Sequence, residues 1–123
     1  MKKLITISAT IIISLALLFT GCFDKPFCPT PDASKITASR GTIGTGGMII
    51  HGAEGAVEPG ATVMVTDKDR NTATTAADGN GSFNLTGADL PEDFDHTLGN
   101  ILNVTQKSEV CRESTEAEVT IVP

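Results

Sequence analysis

The chain has 123 residues, a formal net charge of −6, and five Phe with neither Trp nor Tyr. So acidic a chain offers no cationic footprint for nucleic-acid phosphates or anionic lipid headgroups. So few rings leave no stacking platform for single-stranded nucleic acid, and argue against a sugar site built on aromatic faces.

In chain order, the first element is an apolar run from Leu4 to Thr20, preceded by Met1-Lys2-Lys3 and interrupted only by Thr6, Ser8, Thr10 and Ser14. A positive start and an apolar stretch have the form of an export signal. At 17 residues the run is at the short edge for spanning a bilayer, and no basic stop-transfer cluster follows it. The stretch Phe19-Thr20-Gly21-Cys22 resembles the lipobox of bacterial lipoproteins, commonly Leu-Ala-Gly-Cys, with Phe19 departing from the usual Leu.

That resemblance implies a signal peptide over 1–21, a thioether-linked diacylglycerol on Cys22, cleavage before it, and acylation of the new amino terminus by palmitate-type chains. An uncleaved anchor and an ordinary signal peptide are the alternatives. Several acyl chains hold a protein on a membrane where one does not. The mature chain, 22–123, has 102 residues and a charge of −8 once Lys2 and Lys3 are gone, a size suited to one modest domain.

Residues 22–34, "CFDKPFCPTPDAS", carry Pro26, Pro29 and Pro31 without periodicity, and are expected to form a stiffened tether. At about 3.1 Å per residue it would reach roughly 40 Å. Cys28 and Cys111 make an even pair in an exported chain and are expected to form a disulfide, with two free thiols as the alternative. Closing so long a loop contributes about 4 kcal/mol in the chain-entropy model.

From residue 35 to 123 the chain alternates short apolar or period-2 segments with Gly, Asn and Asp: "KITAS" (35–39), "GMIIHG" (47–52), "ATVMVT" (61–66), "NTATTA" (71–76), "SFNL" (82–85), "ILNVTQ" (101–106) and "EAEVTIV" (116–122). Val63 with Val65, Phe83 with Leu85, Leu102 with Val104, and Ala117 with Val119 and Ile121 fall on inward faces. The Thr-rich 71–76 fits an edge or solvated strand. "GADLPEDFDHTLG" (87–99) has room for one helical turn at most before Pro91. Seven strands punctuated by turns predict an all-β antiparallel sandwich.

Residues 49–85 resemble the bacterial Ig-like domains that repeat in large surface adhesins, through Gly55, the run Glu58-Pro59-Gly60-Ala61-Thr62-Val63, Val65, Asp67, Thr74-Thr75, Asp78 and Gly81-Ser82-Phe83. "ILNVTQKSEVCRESTEAEVTIV" resembles that family's closing hairpin. Cys111, the 87–99 loop and the single copy depart from it, and carboxypeptidase-regulatory-like and transthyretin-like sandwiches share much of the pattern. The resemblance implies a non-catalytic Ig-like domain.

Two further readings attach to particular residues. Asp67-x-Asp69-x-Asn71 spaces oxygen ligands as an EF-hand does, with Asp78 at its twelfth position; but Thr72 stands where that loop needs Gly, and Asp replaces its Glu. A structural turn and a weak calcium site are both open. The loop 87–99, with Leu90, Phe94 and Leu98 among acidic residues, is the candidate partner-binding element, and an acidic loop without a partner is its alternative.

His51 and His96 have no neighbouring nucleophile, and no Gly-x-Ser-x-Gly, His-Glu-x-x-His or phosphate loop occurs. The chain is therefore expected to be no enzyme and to need no cofactor beyond its covalent lipid. The expected function is a membrane-anchored envelope module that contacts another protein, acting either in surface adhesion or as a periplasm-facing accessory of an envelope complex. Phe23, where the inner-membrane retention signal resembles Asp, favours the outer membrane in a cell with two.

Overall fold

Every alternating segment becomes a strand. The computed structural model describes residues 25–40 and 47–123; the signal peptide expected over 1–21, Cys22 and the connection 41–46 lie outside the described residues. The strands are β1 (Ile36–Arg40), β2 (Met48–Gly52), β3 (Thr62–Thr66), β4 (Thr72–Ala76), β5 (Phe83–Leu85), β6 (Ile101–Lys107) and β7 (Ala117–Val122), with single 3-10 turns at Ala33–Lys35 and Gly87–Asp89.

The strand order is β4-β3-β6-β7-β1-β2-β5. One layer is β4, β3, β6 and the first part of β7, whose Ala117 to Thr120 face Val104 to Ile101. The other is the end of β7 with β1, β2 and β5. The fold is thus an all-β sandwich in which the last strand passes from one sheet to the other.

The pairing is antiparallel except at one place. Five neighbouring pairs are antiparallel, but β1 and β7 are parallel through Ala38↔Ile121 and Ser39↔Val122. Both strands start at the end of the sandwich where the N-terminal segment meets the 108–116 loop, and so run the same way. This end is termed the proximal pole. The opposite end, holding the 67–71 turn and the 86–100 loop, is the distal pole.

The inward faces read from the alternation form the core, with Val63, Val65, Leu85, Leu102, Val104, Ala117, Val119 and Ile121 all buried, and Ile36, Ala38, Met48 and Ile50 of β1 and β2 join them. Phe83 is buried as well, its ring lying over Gly52, where a Cβ would stand 2.2 Å from ring carbon Cε1. Gly52 is thus a β2 position that no larger residue fills while Phe83 keeps its place. Before β3, Ala61 N–H donates to Glu58 O at 3.1 Å, and Gly60 has φ of +73°, which makes Glu58-Pro59-Gly60-Ala61 the type II turn that Pro-Gly favours.

Candidate functional site

The proximal pole is built from the N-terminal segment. Cys28 and Cys111 are disulfide-bonded with Cα atoms 4.9 Å apart. Around the bond, Cys28 N–H donates to Arg112 O and Arg112 N–H to Pro26 O, both at 2.8 Å, so Phe27 and Arg112 form a one-residue parallel bridge. The Arg112 guanidinium lies 4.1 Å from the centroid of the exposed Phe27 ring, and its Nε donates to Lys25 O at 2.8 Å.

Further along, Pro31 is buried, Asp32 N–H donates to Ala56 O at 2.8 Å, and the Thr30 and Thr115 hydroxyls are hydrogen-bonded. Gln106, only 2% exposed, joins this segment to the sandwich. Its Nε2 donates to Pro29 O and its Oε1 accepts from Glu58 N–H, each at 2.7 Å. Residues 25–34 of the stiffened tether expected over 22–34 are consequently an arm packed on the domain, while 22–24 lie outside the described residues. Prolines without periodicity indicate an extended chain, and an extended chain docks as readily as it hangs free.

At the distal pole the organising group is Asp67. Its Oδ1 accepts from the N–H groups of Asp69 (2.9 Å) and Asn71 (2.8 Å), and its Oδ2 from Asn71 Nδ2 (3.0 Å) and Asp95 N–H (2.9 Å). Asn71 Nδ2 also donates to Asp93 O at 2.9 Å, so the 67–71 turn and the long loop are held by one carboxylate and one amide. Asp95 continues the network, accepting from Thr97 N–H at 2.9 Å and from Asn100 Nδ2 at 2.7 Å. Burial pushes the Asp67 carboxyl up, but the Asn71 side chain and the three backbone donors together hold it below the usual carboxylate value. The Asn100 amide, outweighing burial, does the same for Asp95.

This geometry bears on both sequence readings. Asp67 turns its oxygens to four N–H donors, and Asp78 lies at the opposite, proximal pole, where it caps its own turn by accepting from Asn80 N–H, Ser82 N–H and the Ser82 hydroxyl. The set Asp67, Asp69, Asn71 and Asp78 is therefore not brought together as an EF-hand loop would be, because a β-hairpin arm separates its first and last members. Among the described residues no three His, Cys, Asp or Glu side chains gather as a metal site.

The loop 87–99 is also redistributed. Phe94 is 1% exposed and belongs to the core, with half-buried Leu90 packed against that cluster, which corrects the expectation that Phe94 contacts a partner. Leu98 alone of the three is exposed. The loop's outer surface is polar. Arg40, Lys68, Asp69, Glu92, Asp93 and His96 line an open depression of 480 Å³, with Phe94 at its base. Such a surface makes charge and hydrogen-bond contacts.

Gln106, Arg112 and Asp95 do structural work that the sequence reading did not assign to them. The signal available for Phe94 was scarcity: between residues 35 and 123 only Phe83 and Phe94 are aromatic, and a core with so few large residues has use for both. No protein-family model matches the chain, and no curated protein matches it.

Proposed function

We propose that this protein is a lipid-anchored envelope lipoprotein whose Ig-like sandwich is a non-catalytic interaction module, with Cys22 as the lipid-bearing residue and the distal pole as its presenting face. The observation that carries the reading is the polarity of the domain. The arm that leads back toward Cys22 is fixed at the proximal pole by the disulfide, the Arg112 bridge and Gln106. The polar loop surface and exposed Leu98 sit at the other end.

Only residues 22–24 separate the lipid-bearing position from the docked arm at Lys25, a span of about 10 Å when extended. The domain is therefore held close to its membrane with the distal pole facing away. Surface adhesion is the role this disposition serves best.

The proposal is tested in two parts. Cys22→Ser abolishes metabolic labelling with palmitate if the anchor is as described, and retained label rejects it. Protease added to intact cells digests an epitope-tagged copy if the module is on the cell surface. Protection until lysis rejects the surface reading and leaves an accessory of a periplasmic envelope complex.

A further inference from the structure

Among the described residues β4 and β5 end the strand order unpaired on one side, and the two edges are unlike. β5 is blunted by its length, three residues. β4 runs five residues, Thr72-Ala73-Thr74-Thr75-Ala76, with no Pro, no charge and no bulge, and among the described residues it pairs only with β3.

The hydrogen bonds flanking that hairpin fix which backbone groups face outward. Asp67 N–H donates to Asn71 O and Ala77 N–H to Ala61 O, so Asn71, Ala73, Thr75 and Ala77 point their main-chain groups toward β3. Thr72, Thr74 and Ala76 direct theirs away from it, and all three residues are exposed. The usual devices that keep a strand edge from pairing are absent from this strand.

We infer that β4 is the contact surface for a second copy of this chain, the two strands pairing antiparallel about a two-fold axis at Thr74. The strand is self-complementary in that register. Thr74 faces Thr74 of the other copy, and Thr72 faces Ala76, giving about six main-chain hydrogen bonds and a Thr–Thr cross-strand pair.

Charge complementarity selects a second copy over an unrelated strand. Arg70 and Asp78, equidistant from Thr74 in the chain, are both exposed, and neither makes an ion pair among the described residues. Antiparallel pairing centred on Thr74 sets Arg70 of each copy toward Asp78 of the other. An acidic chain that would otherwise repel its own kind thus places opposite charges at both ends of this one edge.

The pairing joins β7-β6-β3-β4 of two molecules into one continuous sheet and leaves the two proximal poles at opposite ends of the dimer. Two copies standing upright in one membrane do not meet in this register, whereas copies on facing membranes or released from the membrane do.

The test uses the full chain solubilised in detergent, oxidised and run on a non-reducing gel. Across the two-fold axis the Cα atoms of residue 74 would be about 5.5 Å apart, within disulfide range. Thr74→Cys therefore yields a covalent homodimer about tenfold faster than Glu118→Cys, an exposed position on β7 that only random collision brings together. Adding Arg70→Glu to Thr74→Cys slows the adduct, because it sets carboxylates against each other. Equal rates for the Thr74→Cys and Glu118→Cys chains, an adduct of the Thr74→Cys chain with a different protein, or a rate insensitive to Arg70→Glu each overturn the proposal.

Discussion

Phe94 and Asp67 hold the distal loop to the domain, one by burial and the other by its hydrogen bonds. Phe94 stands among Asp and Glu yet is buried, and truncating a buried Phe removes transfer free energy and leaves a cavity. Phe94→Ala is expected to lower stability by about 3–5 kcal/mol, read from the denaturant midpoint, whereas Leu98→Ser on the same loop stays within about 0.5 kcal/mol. Asp67→Ala withdraws the acceptor from four donors, and hydrogen bonds to charged groups contribute about 1.5–3 kcal/mol each before the site relaxes. A loss of at least about 2 kcal/mol, with faster amide exchange at Asp95 and Asn71, is the expected outcome. The local spacing of Asp67, Asp69 and Asn71 was visible in the sequence and does form a tight turn. That its remaining donor is Asp95, 28 positions away, was not, because only the closed fold brings the long loop over the hairpin.

At the scale of elements, period-2 alternation located all seven strands, since each has one face in the core and the other in water. Alternation says nothing of strand direction, so the parallel β1–β7 contact was illegible. It arises from where both strands start. Residues 22–34 predict a tether because they have no period, and an irregular segment fixed by single contacts, as 25–34 is, gives none. Those contacts rest on the disulfide: with its cysteines 83 positions apart, the chain-entropy model assigns it about 4 kcal/mol. Reducing the bond, or Cys111→Ala, is expected to lower stability by an amount of that order and to free the arm. Limited proteolysis then cuts near Lys25 before the sandwich is digested; an arm that stays protected after reduction would assign its docking to Gln106 and Arg112 alone.

For the molecule as a whole, acid is the informative perturbation, because carboxylates fasten both poles. Asp67 and Asp95 hold the distal loops, and Asp32 and Asp78 cap turns at the proximal end. The Ser34 hydroxyl holds Asp32 below the ordinary value, and the Ser82 hydroxyl does so for Asp78. A carboxyl whose folded value is depressed stabilises the fold fully above its unfolded value, near 4, and loses that contribution as the pH falls through the folded value. All four shifts have this sign. The net charge of −6 opposes them at neutral pH through self-repulsion, and lowering the pH relieves that repulsion. The melting temperature should therefore stay level or rise slightly from about pH 7 to about pH 5, then fall steeply below about pH 4. In Asp67→Asn, which cannot lose that ionisation, the acid limb is shallower and starts from a lower plateau. A wild-type melting temperature that stays level to about pH 2 would mean that these carboxylates are bound no more favourably in the fold than in the unfolded chain.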